Sequence, residues 1–352
     1  MSRSILIAGS GKIARDTGMF FLKKGHAVSW VSAHEARLME MQAWADKSVR
    51  MFMKYSGGAM RQASACFYLY EELESGPFDV IIECARESLE EKRSVLSRLE
   101  KYSSSALLLS VSSSILPSTI NPACAGFHVF FPLELTKTAE VILPASLSPH
   151  KRDAVLSFCS ENGITGILQT EKTAFAVNRL LLPLQNEVFR LKEKAMDAED
   201  INHASTSPLL PVGQFEFINK VGLRVVKASV ENYRSRMDKK ESGMYEPLSN
   251  GLDRLISCND KEKPKKKPGP DEYDELKRRL YYLFINTCCG FLERKEIAPP
   301  DLDYVLDSVF GAEIGFDEAV GKEGKKNILS ILEEAYQKNK YDYYKPAESL
   351  VD

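Results

Sequence analysis

Residues 5–14, Ile5-Leu6-Ile7-Ala8-Gly9-Ser10-Gly11-Lys12-Ile13-Ala14, decide the fold. Four apolar residues stopped by glycine read as a short strand buried on both faces. From Lys12 to Lys24 apolar positions recur at helical spacing, Gly25 supplies the stop, and Ala27–Val31 reads as a second strand. The glycine loop therefore sits between a strand and a helix. In that setting Gly9 permits the tight turn, Gly11 lets a pyrophosphate approach the backbone, and small Ala14 lets the helix pack closely. The phosphates then meet the N–H groups of the first helical turn, which Lys12 and Ile13 open. A glycine pattern in isolation is common, and its place between strand and helix is what turns it into a dinucleotide site.

Working outward, Phe78–Ile82 and Ala106–Val111 are further strand candidates, separated by a charged helix over residues 88–102, and His128–Phe130 with Val141–Leu143 form a strand pair. Alternating strands and helices imply an α/β, doubly wound sheet with its ligand at the carboxyl ends of the strands. After about Lys172 the pattern turns all-α, with helices over 175–194, 215–234, 274–295 and 326–338. Residues 259–270, NDKEKPKKKPGP, are charged and rich in proline, and read as an exposed linker rather than a nucleic-acid-binding run. Gly213, Glu216, Lys220 and Gly222 have the spacing of Gly315, Glu318, Lys322 and Gly324, each set following a long helix and an acidic turn. This internal repeat predicts two helical units that bury their apolar faces on each other. The expected organisation is a Rossmann domain over 1–172, a first helical domain over 173–258, a linker over 259–270 and a second helical domain over 271–352.

Composition narrows the function. Over 352 residues, 47 Lys and Arg nearly balance 49 Asp and Glu, so no overall field draws the chain to nucleic acid or an anionic membrane. No apolar run reaches the roughly 18 residues of a membrane span, and strand one leads directly into the glycine loop, so we expect a cytoplasmic protein with no membrane partner. The seven cysteines include no CxxC pair and the five histidines lack ligand spacing to them, so no metal site is expected and the thiols read as buried and reduced. His26, His34, His150 and His203 read as surface or structural residues.

The second strand ends at Ser32, where an Asp or Glu normally bonds the adenosine ribose. Losing that carboxylate removes an NAD-selecting bond and a charge that would repel a 2′-phosphate. NAD is the expected cofactor and NADP stays open, with His34 or Arg37 as phosphate partners.

Five further stretches carry a family resemblance. Asp79-Val80-Ile81-Ile82-Glu83 with Glu87 and Lys92, the pair Ser112-Ser113, Gly126-Phe127-His128-Val129-Phe130-Phe131-Pro132, Ala139-Glu140-Val141-Ile142 and Val177-Asn178-Arg179-Leu180-Leu181 follow one another in this order. Together they resemble the 3-hydroxyacyl-CoA dehydrogenases, and the tandem helical half resembles the dehydrogenase part of multifunctional fatty-acid oxidation proteins. The resemblance implies two C-terminal helical domains of the 6-phosphogluconate-dehydrogenase type, and reversible oxidation of an (S)-3-hydroxyacyl-CoA to the 3-ketoacyl-CoA in a cleft between the Rossmann and helical domains. It implies His128 as base, Glu140 as its orienting partner, Ser112 on the reacting oxygen, Asn178 on the acyl carbonyl, and Glu87 and Lys92 beside the cofactor. The residue types suit this chemistry, because removing a hydroxyl proton while hydride leaves carbon needs a base of histidine's kind, and a carboxylate fixes its tautomer. Lys54 and Arg61 lie where the family covers CoA.

Two departures stand out. Phe131 precedes Pro132 where the family usually has Asn, exchanging a polar group near His128 for a ring that either reshapes the acyl pocket or marks reduced activity, and Pro211-Val212-Gly213-Gln214-Phe215 replaces the favoured Pro-Met-Gly-Pro-Phe. A dinucleotide-binding protein without turnover, or a Rossmann dehydrogenase of a free hydroxy acid, stays open on the residues alone. The duplication favours a monomer, with a dimer and a hydratase or thiolase partner left open.

Overall fold

The computed structural model describes residues 2–55, 64–73, 78–102, 105–194, 196–236 and 269–351. They fall into two compact units, Met1–Ala174 and Phe175–Asp352.

The first unit opens with β1 (Ser4–Ala8), α1 (Lys12–Lys23), β2 (Ala27–Ser32), α2 (Glu35–Tyr55), β3 (Ala65–Leu69) and β4 (Val80–Glu83). It continues with α3 (Leu89–Arg98), β5 (Leu107–Ser110), α4 (Pro117–Ile120), β6 (Cys124–Val129), α5 (Leu133–Thr136), β7 (Thr138–Ile142), α6 (Pro149–Glu161) and β8 (Thr165–Gln169). One sheet runs in the order β3-β2-β1-β4-β5-β6-β7-β8. The first six strands in that order are parallel, β7 turns antiparallel to β6, and β8 is parallel to β7. The order 3-2-1-4-5-6 is the doubly wound dinucleotide arrangement, with its switch point between β1 and β4. Central strands are apolar on both faces: Ile5, Ile7, Val80, Ile82, Leu107 and Leu109 join one core, while Leu6, Ala8, Ile81 and Leu108 join the other. This is why they read as unbroken apolar runs.

The expected Phe78–Ile82 strand is shifted, since β4 starts at Val80 and takes in Glu83. Phe78 instead packs into the core from the preceding loop, against Tyr102. The expected 88–102 helix ends at Arg98 and finishes as a 3-10 turn over Glu100–Tyr102. α1 is held closer to the sheet than Ala14 alone requires. A Cβ on Gly18 would lie 2.3 Å from the Trp30 ring of β2, and the Trp30 indole N–H donates to the Ala14 carbonyl at 3.0 Å.

The second unit contains α7 (Ala176–Glu193), α8 (Ala198–Ala204), α9 (Gln214–Val221) and α10 (Leu223–Arg234). After residue 268 come α11 (Pro270–Glu293), α12 (Pro299–Val305), α13 (Phe316–Glu323) and α14 (Lys325–Asn339). The single helix expected over 215–234 is two, because Gly222 takes φ +100° and ψ 123° between α9 and α10. Gly324 takes φ +77° and ψ 125° between α13 and α14. Gly213 and Gly315 precede α9 and α13, which carry matching ion pairs, Glu216–Lys220 at 2.7 Å and Glu318–Lys322 at 2.6 Å. The four-residue repeat in the sequence thus marks a repeated helix, sharp break and helix. α7 and α11 pack together, with Glu187 of α7 accepting the Arg279 guanidinium at 3.1 Å and the Tyr343 hydroxyl at 2.7 Å. Most of the expected 259–270 linker lies outside the described residues, and α11 already begins at Pro270.

Among the described residues no helix is long and apolar enough to cross a membrane, and no cluster of His, Cys, Asp or Glu could hold a metal ion. Their cysteines are free thiols, and burial pushes Cys159 up to about 12 and Cys289 up to about 11.

Candidate active site

The glycine loop follows β1 at the switch point. Gly9 has φ +147°, and a Cβ there would lie 2.7 Å from the Cys84 carbonyl oxygen, so only glycine lets the loop pass this close to the end of β4. Gly11 is the residue before α1 and offers no side-chain cap, which leaves the first-turn N–H groups of Lys12 and Ile13 to an anionic ligand. Ala14 is fully buried at the helix–sheet contact. The residues present fit a dinucleotide pyrophosphate. Ser32 ends β2, buried, with its hydroxyl 3.4 Å from that of Ser10 in the loop and accepting the His34 amide at 3.2 Å. His34 and Arg37 are exposed just beyond it.

β6 and β7 are paired antiparallel, with His128 directly opposite Glu140. The His128 Nδ1 lies 2.8 Å from Glu140 Oε2, with Glu140 fully buried and His128 8% exposed. A buried carboxylate on Nδ1 fixes the tautomer and the ring plane. The Phe130 ring stands 4.8 Å from the imidazole and closes one side of it.

β5 and β6 are parallel, with Ser110 opposite Gly126, so two residues further on Ser112 reaches the level of His128 at the carboxyl edge. Its hydroxyl donates to Glu87 Oε1 at 2.7 Å and accepts the Ile115 amide at 2.8 Å. The same Glu87 oxygen also receives the Ser113 amide at 3.0 Å and the Ser114 hydroxyl at 2.6 Å. Lys92, buried, lies 3.0 Å from Glu83 Oε2 and 3.7 Å from Glu87 Oε2, and Ser110 donates to Glu83 at 2.6 Å. Burial would raise the Glu87 carboxyl, but the Lys92 charge and the serine donors outweigh it and hold the group below its ordinary value. Burial would lower Lys92, but Glu83 and Glu87 outweigh it and hold the ammonium above its ordinary value.

Phe131, 43% exposed, carries the Lys12 ammonium 3.8 Å from its ring centroid. Asn178 belongs to the second unit, in the first turn of α7, where its amide donates to the Tyr233 hydroxyl at 3.3 Å. Lys54 is exposed on α2, and Arg61 lies outside the described residues.

The sequence profile of the 3-hydroxyacyl-CoA dehydrogenase NAD binding domain matches residues 4–172, and that of the 3-hydroxyacyl-CoA dehydrogenase C-terminal domain matches residues 175–268. The chain belongs to the 3-hydroxyacyl-CoA dehydrogenase family. Hydroxyacyl-coenzyme A dehydrogenase, mitochondrial, from Homo sapiens is 29% identical over 190 residues, 51% of this chain and 60% of that protein. The Rattus norvegicus protein of the same name is 28% identical over 188 residues, 51% and 59% of the two chains. The chain thus spans about three fifths of the length of these relatives. In fold, 3-hydroxybutyryl-CoA dehydrogenase from Escherichia coli K12 superposes with a TM-score of 0.74 at 16% identity, covering 100% of this chain and 98% of that one. The dehydrogenase part of multifunctional enzyme 1 from C. elegans gives 0.55 at 15% identity, covering 99% and 89%.

For this 3-hydroxyacyl-CoA dehydrogenase family member, the structure brings the expected site residues of the first unit into three groups: Gly9 to Ala14 with Ser32, His128 with Glu140, and Ser112 with Glu87 and Lys92. Three contributors escaped the sequence reading. Ser110 and Ser114 donate to the two glutamates, and their only signal was the Ser110–Ser114 run after a strand. Asp16 accepts the Leu133 amide at 2.8 Å and ties α1 to the corner after β6. Nothing local in the sequence marks that bond.

Proposed function

We propose that the chain catalyses reversible oxidation of an (S)-3-hydroxyacyl-CoA to the 3-ketoacyl-CoA. The observation that carries this reading is the buried His128–Glu140 pair, 2.8 Å apart at the carboxyl edge of the dinucleotide sheet. The glycine loop and the first turn of α1 would hold NAD, or NADP given Ser32, which would supply the hydride acceptor for C3. With Nδ1 engaged by Glu140, the His128 Nε2 takes the hydroxyl proton, and Glu140 stabilises the imidazolium that forms. Ser112 turns its hydroxyl from Glu87 to the reacting oxygen, and Asn178 supplies an amide donor to the acyl carbonyl. The second unit, on this reading, is two tandem helical domains, meeting at the 259–270 linker, and the chain is a monomer. Free thiols at every described cysteine suit a cytoplasmic enzyme.

The test is oxidation of NADH and NADPH by acetoacetyl-CoA, run in parallel with a His128→Ala variant. Turnover that disappears in the variant supports the reading, and the preferred cofactor defines the part Ser32 plays. Cofactor binding without turnover across acyl chain lengths would overturn it in favour of a non-catalytic dinucleotide binder.

A further inference from the structure

Lys12 is the first residue of α1, and its ammonium sits 3.8 Å from the centroid of the Phe131 ring. A lysine on a helix start is ordinarily a solvated, freely rotating charge. Here an aromatic face gives it a fixed seat. The ring is not buried for packing, being 43% exposed, so its exposed face serves the cation. The corner that carries the ring is also fastened to α1 further along the helix. Asp16, one turn on from Lys12, accepts the Leu133 amide at 2.8 Å, and Lys23 pairs with Glu134. α1 and the segment 131–134 therefore hold together at three points, and that segment directly follows the strand bearing His128.

We propose that Lys12 and Phe131 act as one device. The Phe131 ring holds the Lys12 ammonium beside the uncapped first turn of α1, where it adds a positive charge to the pyrophosphate of the dinucleotide. Cofactor affinity thereby depends on the corner after His128. The inference rests on the dinucleotide reading of the glycine loop and adds two side chains to it.

Isothermal titration of the full chain with NADH and with ADP-ribose, which keeps the pyrophosphate but lacks nicotinamide, tests this. Lys12→Met should weaken both ligands about fivefold, a factor that corresponds to ~1 kcal/mol. Phe131→Leu should weaken both by a smaller factor, and the double variant should bind no worse than Lys12→Met. Lys12→Arg, which keeps the charge and stacks on the ring, should restore affinity, and high salt should shrink the Lys12→Met effect. Both side chains are exposed, so matching melting temperatures will verify that the variants fold. Unchanged affinity in Phe131→Leu, or effects that multiply in the double variant, would overturn the device while leaving the dinucleotide site intact. Failure of the unmodified chain to bind either ligand would overturn the dinucleotide reading itself.

Discussion

At the residue scale, the site depends on two buried carboxylate systems with different tasks. Glu140 lies 2.8 Å from the His128 Nδ1, so on the proposed mechanism Glu140→Gln keeps the shape but loses the charge that favours the imidazolium. We expect kcat to fall by about 100-fold or more with little change in KM, measured with acetoacetyl-CoA. A comparable loss in KM alone would remove Glu140 from this task. Lys92 instead offsets Glu83 and Glu87, and Lys92→Met would leave the buried Glu83 and the half-buried Glu87 without their cation. We expect a stability loss of about 3–5 kcal/mol in urea unfolding, since breaking a buried pair leaves uncompensated charge. The pH dependence follows from the direction of each shift. Glu87 is held below its ordinary 4.5, so its contribution is present above that value and is lost as pH falls through the lower folded value. Lys92 is held above 10.5, so its contribution is present below that value and is lost only as pH rises past it. Melting temperatures of the unmodified chain and Glu87→Gln should therefore differ at pH 7 and converge as pH drops below 4.5.

At the element scale, legibility followed the range of the signal. β1, the glycine loop, α1 and β2 could be read because strand, turn and helix signals lie within thirty consecutive residues. α2, β3, α6 and β8 were missed: β8 is a half-exposed edge strand with Gly166 inside it and shows no apolar run, while β3, the apolar run Ala65–Leu69, is only half-buried at the other edge. The convergence of Ser112, Ser113 and Ser114 on one Glu87 oxygen was equally hidden, since it exists only once β4 and β5 lie side by side. The α9–α10 break was misread because Gly222 keeps the helical apolar spacing on either side of it. Three glycine substitutions measure how tightly these elements are built. Gly18→Ala pushes a methyl group into the Trp30 ring and should cost about 1–3 kcal/mol through overpacking. Gly222→Ala and Gly324→Ala should each cost about 1–3 kcal/mol by forcing a side chain into a glycine-only backbone conformation. Equal effects at Gly222 and Gly324 in urea unfolding would show that the two breaks are the same structural device, and a tolerated change at either would deny it.

At the scale of the whole molecule, the repeated helix, break and helix bears on assembly. On the proposed reading of two tandem helical domains each needs a partner for its apolar face, and the long helices α7 and α11 pack on each other within this chain. The contact is also locked by polar groups that a loose association would leave hydrated. Glu187 receives both Arg279 and Tyr343, while the Arg190 guanidinium lies 3.0 Å from the Tyr341 ring centroid. Glu187 is 2% exposed, so separating the helices would strand a buried carboxylate. A second copy of the chain would have to displace this internal contact to use the same faces. We therefore expect multi-angle light scattering to give the mass of a single chain at micromolar concentration. Glu187→Ala, which removes the acceptor of both bonds, should lower the melting temperature before any dimer forms. A stable dimer in the unmodified chain, with crosslinks between α7 of one copy and α11 of the other, would mean that the duplicated units pair between chains.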